Sequence, residues 1–180
     1  MSKEINLLII ESKKGKQKAQ IKLYDLHCKA MFSISCRYIK NVEEAKDAMQ
    51  DGFIKAFLNI EKYTPNTSFS AWLKTIIINT CVDKLKKRKL ETVSLEKYPL
   101  EISNDEDWNF DIRITKSQIL EGIESLSLKY QIVVKLYLIE GYDHQEISEI
   151  LNIPIKTSRT HLRRGKSILK QLLKPKEYGT

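Results

Sequence analysis

Between residues 156 and 166 the chain carries Lys156, Arg159, Arg163, Arg164 and Lys166, with Thr157 and Thr160 interleaved. These side chains suit the chemistry of a polyanion. Arg grips guanine through two parallel hydrogen bonds, Thr bonds a base edge or touches a thymine methyl, and Lys neutralises phosphate without reading sequence. A second group, Asp47, Gln50, Asp51, Ile54 and Lys55, recurs in helical steps and mixes acids, an amide, an aliphatic and a cation. An aliphatic exposed among acids could form a docking surface, although a scatter of exposed aliphatics is commoner. A third group, Lys84 to Lys89, places five cations in six residues. It complements a helix dipole at its C-terminus and would equally well straddle nucleic-acid phosphates.

The elements that must position these groups read as helices. Tyr142 to Pro154 has the spacing of the first helix and turn of a helix-turn-helix. Ile147, Ile150 and Leu151 form its inner face, Ile153 plugs the turn, and Pro154 sits at an early helical position that tolerates a missing amide. The second helix has an inner stripe of Ile155, Ser158, Leu162, Gly165, Leu169 and Leu172, which turns Lys156, Arg159, Thr160, Arg163 and Lys166 outward toward a major groove. Ser158 is the weak member of that stripe, because a β-branched apolar residue would fill the place better. Upstream, Ile114 to Leu126 and Tyr130 to Leu138 read as two further helices, with Gly141 as a C-terminal cap.

In the N-terminal half, Leu23, Leu26, Ala30, Met31, Ile34 and Tyr38 recur at helical spacing, after a Lys-rich lead-in at Lys13 to Lys18. Asn41 with Glu44 resembles a capping box. It opens a helix whose buried stripe is Ala45, Met49, Phe53, Ala56, Phe57 and Ile60. Lys62 to Ser68 is turn chemistry. Ser68 or Ser70 then caps a third helix through Phe69, Trp72, Leu73, Ile76, Ile77, Thr80, Cys81 and Leu85. Apart from the ambiguous Ile76-Ile77-Ile78, no run alternates with the period of a strand. The expectation is an all-α chain of two small helical domains joined by an acidic linker, the second domain containing the helix-turn-helix. Its parts are a lead-in at 1–20, a first domain at 21–90, the linker at 91–112 and a second domain at 113–175.

Charge follows that division. Of the 31 basic and 23 acidic residues in 180, residues 1–90 hold 18 and 9, residues 91–112 hold 1 and 7, and residues 113–180 hold 12 and 7. Two basic blocks around an acidic spacer suit two surfaces that meet a polyanion, or ordinary solvated Lys faces. Barrel and doubly wound enzymes usually need roughly 200 residues or more, and none of the 6 glycines builds a phosphate-cradling loop. The three cysteines form no Cys-x-x-Cys pair and His27, His144 and His161 lie far apart, so neither a disulfide framework nor a zinc site is expected. No nucleophile turn stands beside a His and an acid. The chain therefore reads as non-catalytic, without metal, cofactor or small-molecule substrate. The apolar run before Ile10 is too short to span a bilayer, and a reducing cytoplasm without membrane insertion fits the cysteines.

Two motifs together resemble the extracytoplasmic-function (ECF) class of bacterial RNA polymerase sigma factors. In the first half they are Asp47-Ala48-Met49-Gln50-Asp51-Gly52-Phe53, then Trp72-Leu73, Ile76, Asn79 and Asp83; in the second the match runs from Leu126 to Leu169. The resemblance implies core RNA polymerase and promoter DNA as partners, and leaves room for an anti-sigma factor that masks these surfaces. It implies that Asp47, Gln50, Asp51 and Lys55, supported by Ile54, dock on the clamp helices of the polymerase's largest subunit. The 62–68 loop and the helix from Trp72 would capture a flipped base and open the minus-ten region, with Tyr63, Asn66, Thr67, Lys74, Lys84, Lys87 and Arg88 as contacts. Base stacking over a basic groove is how single strands are generally held. Trp72, Asn79 and Asp83 would serve there or in internal packing, and for Trp72 the core is favoured. Lys156, Thr157, Arg159, Thr160, Arg163, Arg164 and Lys166 would read the minus-thirty-five element. The chain departs from the family where Lys156-Thr157-Ser158 stands in place of the frequent Gly-Thr-Val, and Thr160-His161 in place of Ser-Arg. Two other readings stand beside this one: a stand-alone helix-turn-helix regulator on symmetric half-sites, and a helical adaptor that binds an acidic protein through its Lys patches.

Overall fold

A computed structural model describes residues 3–91 and 114–174, and among these every regular element is helical. The first four helices are α1 (Lys3–Lys13), α2 (Gln17–Tyr38), α3 (Val42–Leu58) and α4 (Phe69–Glu91), with a one-turn 3-10 helix at Ile60–Lys62. The next four are α5 (Lys116–Ser125), α6 (Leu128–Val134), α7 (His144–Leu151) and α8 (Ile155–Leu172), and a π-helical turn at Lys135–Ile139 continues α6. They form two compact units, α1 to α4 and α5 to α8. The linker expected at 91–112 lies outside the described residues, apart from Glu91 at the end of α4.

The expected lead-in at 1–20 is corrected by the structure, which places α1 and the first turn of α2 there. Ile5, Leu8, Ile9 and Ser12 recur at helical steps, and Ile9 and Ser12 are buried. Through this stripe α1 packs on α2 and the 3-10 turn rather than fraying, while Leu7 and Ile10 stay exposed. In α2 the buried line runs through Ala19, Leu23, Met31, Ile34 and Tyr38, with half-buried His27 in the same line, while Leu26 and Ala30 are exposed. A histidine at a stripe position hid the true register.

Asn41 caps α3 by accepting the Glu44 N–H at 3.0 Å, and Ser68 caps α4 by accepting the Ala71 N–H at 3.1 Å. Between these two helices and α2 lies a core of Leu23, Met31, Phe53, Phe69, Leu73, Ile77 and Ile78. Each such side chain contributes about 1.5–3 kcal/mol when fully buried. Ile76-Ile77-Ile78 is thus helical, and Gly52 lets α3 close on Ile77, which a Cβ there would strike.

His27 has its Nε2 buried without a hydrogen-bond partner and its ring 5.4 Å from that of Phe69. Burial lowers its pKa below 6.5. The unfolded chain therefore binds the proton more readily, and stability is lost as pH falls from above 6.5 through the lowered folded value. Thermal melts at pH 8 and pH 5.5 are expected to show this acid loss in the wild type and a smaller one in His27→Leu. An equal loss in both would assign it elsewhere.

In the second unit, capping boxes start α5 at Thr115 with Gln118 and α7 at Asp143 with Glu146. Asn152 ends α7 in the left-handed region at φ 51°, and the Ser148 hydroxyl donates to the Ile153 carbonyl at 2.6 Å, closing the turn into α8. Gly165 brings α8 against α6: a Cβ there would lie 2.6 Å from Val134 Cγ2. Leu172, expected on the inner stripe, is exposed. The stripe instead steps from Leu169 by four to half-buried Leu173, near Gly122, and Ile168 is buried beside it.

Candidate nucleic-acid interface

The helix-turn-helix is α7, the Asn152–Pro154 turn and α8. On α8, Lys156 and Arg159 are exposed, while Thr157, Thr160, Arg163, Arg164 and Lys166 are half-buried. The Thr160 hydroxyl donates to its own helix at the Lys156 carbonyl, 2.9 Å away, and so offers an incoming base only acceptor capacity. Arg164 is seated deeper than expected for a residue on the reading face, with its Nε buried. Lys166 holds its Nζ 5.7 Å from the centre of the Tyr137 ring. That ring in turn lies 5.0 Å from His144.

Ser158 is fully buried, and its Oγ lies 2.9 Å from His144 Nδ1. Burial, then the charge of Arg159, lowers the His144 pKa, with Lys166 adding to the effect and Asp143 opposing it. The misfit of a serine on an apolar stripe was the available signal for this contact, but its partner, fourteen positions away, carried none.

In the first unit Asp47, Gln50, Asp51, Ile54 and Lys55 are all exposed along α3. Ile54 is 58% and Leu58 80% exposed, so the face carries two aliphatic side chains beside its acids. Lys84 pairs with Asp51 at 2.7 Å and Arg88 with Glu44 at 3.2 Å. Two of the cations expected to meet promoter phosphates therefore turn toward α3, and Lys87 lines a groove with Glu44, Asp47, Lys84, Leu85 and Arg88. The side chain of Lys89 lies outside the described residues.

Tyr63, expected to contact a base, is buried, and the structure corrects that role. Its hydroxyl donates to the Thr67 carbonyl at 2.8 Å and its ring meets Phe69 edge-on at 5.5 Å and Trp72 at 5.4 Å. Burial pushes its phenol pKa up. A ring enclosed in this way pins the loop rather than stacking on an incoming base. Asn66 and Thr67 stand exposed on the loop, and Lys74 is half-buried on α4. Trp72 is half-buried and lines a groove of about 390 Å³ with Lys55, Asn59, Lys62, Ile76, Asn79 and Asp83. Asn79 Oδ1 is buried there without a partner, and Asp83 is exposed, 4.0 Å from Lys55.

The sigma-70 region 2 family model matches residues 23–91 and the sigma-70 region 4 model matches residues 116–169. The ECF RNA polymerase sigma factor SigW of Bacillus subtilis is 31% identical over 186 aligned residues, spanning 97% of this chain and 99% of that protein. The chain belongs to the ECF class of RNA polymerase sigma factors. The ECF sigma-E factor of Escherichia coli K12 is 24% identical to this sigma factor over 94% of each chain. Two solved structures share its fold at a TM-score of 0.58. One is the sigma factor RpoE in complex with the anti-sigma factor NepR from Bartonella quintana, at 19% identity over 86% of this chain and 96% of that one. The other is CnrH in complex with the cytosolic domain of CnrY, at 20% identity over 94% and 97%. Among the described residues of this sigma factor no helix is long and apolar enough to cross a membrane, and no group of His, Cys, Asp and Glu could hold a metal ion.

Proposed function

We propose that this sigma factor binds core RNA polymerase through the exposed face of α3 and directs promoter-specific initiation as a non-catalytic subunit in the cytoplasm. Residues 21–90 act as the domain that docks and opens the minus-ten region, and residues 113–175 as the one that reads the minus-thirty-five element. The observation that carries this reading is the α3 face itself, where Ile54 and Leu58 lie exposed among Asp47, Gln50, Asp51 and Lys55. A stand-alone regulator has a recognition helix but no need of such a face. Asn66, Thr67, Lys74 and Lys87 are the minus-ten contacts, joined by Lys84 and Arg88 as their acid partners exchange for phosphate. Lys156, Thr157, Arg159, Thr160, Arg163, Arg164 and Lys166 serve the minus-thirty-five element. An anti-sigma factor, of the kind that RpoE carries in its solved complex, would cover these surfaces. A photocrosslinking side chain at position 54 is expected to capture the polymerase's largest subunit; a crosslinker that reacts with no core subunit would refute the docking face.

Lys166 is the phosphate contact in this scheme. Lys166→Ala is expected to weaken binding to every promoter variant alike and to reduce the salt slope of binding by about one. An unchanged slope in a titration from low to moderate salt would remove Lys166 from the interface.

A further inference from the structure

Ser158 is a polar residue at the crossing of the two helices of the helix-turn-helix, and it is wholly buried. Helical serines commonly return their hydroxyl proton to the carbonyl four residues earlier. Here that carbonyl, on Pro154, already accepts the N–H of Thr157 at 2.9 Å and that of Ser158 at 3.1 Å. The hydroxyl instead has His144 Nδ1 at 2.9 Å as its partner. His144 is the first residue of α7 and Ser158 the fourth of α8, so the contact ties the opening turn of one helix to that of the other. Ser158 stands between Thr157 and Arg159, and the N-terminal turns of a recognition helix are those that reach base edges. Such a set must be held to roughly 0.5 Å by the groups behind it.

We propose that His144 is a positioning residue for minus-thirty-five recognition: the Ser158 hydroxyl donates to His144 Nδ1 and thereby seats the first turn of α8, from which Lys156, Arg159 and Thr160 project. The proposal rests on the promoter-reading role given above to α8. The imidazole acts as an acceptor at Nδ1 and carries its proton on Nε2. Its neutrality suits the site, because burial and the neighbouring Arg159 and Lys166 disfavour a further positive charge. Tyr137, packed at 5.0 Å on the ring, holds it in place. Removing His144 alone strands a buried hydroxyl, whereas removing both partners in favour of apolar groups leaves nothing unpaired.

The test uses holoenzyme assembled from core polymerase and the full chain. Promoter fragments randomised across the minus-thirty-five element are selected by the wild type, and affinity is then compared between the selected fragment and one scrambled there. His144→Leu is expected to lose the preference for the selected fragment about tenfold. His144→Asn, whose amide oxygen stands near the place of Nδ1, and the double variant His144→Leu/Ser158→Val are expected to recover most of it. Nitrogen NMR of the free protein at pH 7.5 should show an unprotonated Nδ1 and a protonated Nε2 on His144. Full preference in His144→Leu would overturn the proposal, as would failure of both His144→Asn and the double variant to recover, or a proton found on Nδ1. Wild-type holoenzyme that enriches no fragment would overturn the minus-thirty-five reading itself, and the wild-type arm alone separates that outcome from the others.

Discussion

Replacing Gln50 and Asp51 together by alanine is expected to abolish co-purification with core polymerase, with affinity falling about 100-fold or more, while the thermal melt of the free protein stays close to wild type. Both side chains are exposed on α3, so neither contributes to the buried core of the first unit. Within the protein the double change removes the Asp51–Lys84 ion pair, whose side chains are 50% and 37% exposed. Exposed pairs of that kind are worth about 0–1 kcal/mol. At a protein interface the same groups weigh more, because a few central residues carry most of the binding energy, about 2 kcal/mol or more each. In the proposed docking, Ile54 and Leu58 would supply the apolar part, and the acids and amide would fix the register. Size-exclusion chromatography of each variant with core polymerase, beside a melting curve of each variant alone, checks the prediction. Undiminished co-elution would remove α3 as the docking element.

Arg159→Ala is expected to relax a single base position in the minus-thirty-five element and to leave the others as they were. Arg159 is exposed on the outward face of α8, next to the buried Ser158 whose Oγ meets His144. A good bidentate pairing to a base contributes about 1–3 kcal/mol of discrimination, which is roughly 5- to 150-fold between right and wrong base. The expected profile therefore differs in kind from that of Lys166→Ala, where every sequence loses affinity together. Measuring holoenzyme affinity on fragments substituted one position at a time separates the two. Equal losses across all positions would make Arg159 a phosphate contact.

The helices were legible wherever the controlling signals were local. The Asn41 cap, the steps through Ala45, Met49 and Phe53, the turn before Pro154 and the stripe at Leu162, Gly165 and Leu169 each depend on residues within one or two helical turns, and each is where spacing placed it. Most of the features that escaped depend on partners in other elements or on irregular local structure. Tyr63 sits in a segment of turn formers, yet its burial is set by Phe69 and Trp72 of α4, and its carbonyl accepts from Lys13 of α1 at 2.9 Å. Lys84 and Arg88 read as a block of like charge because Asp51 and Glu44, which pair with them, lie more than thirty positions earlier. The helix α1 was hidden by brevity: its stripe spans only two turns before Gly15, which has a φ of 76°. The π turn at Lys135–Ile139 leaves Tyr137, Leu138 and Ile139 in succession 36–37% exposed, a pattern that no regular helical period predicts. At the candidate interface, residue types pointed to nucleic acid from α8 alone, whereas the histidine behind the recognition helix became visible only once α7 and α8 were brought together.

A sigma factor gives polymerase a promoter that polymerase alone does not use, and transcription itself reads this out. Genomic fragments from the source organism are transcribed in vitro by core polymerase with and without the full-length protein, and the transcripts are mapped. Stable co-elution of the protein with core is expected, together with new transcripts whose start sites share common minus-ten and minus-thirty-five elements. Sequence-specific duplex binding by the free protein, with no association with core and no new transcript, would contradict the sigma role and leave a conventional helix-turn-helix regulator.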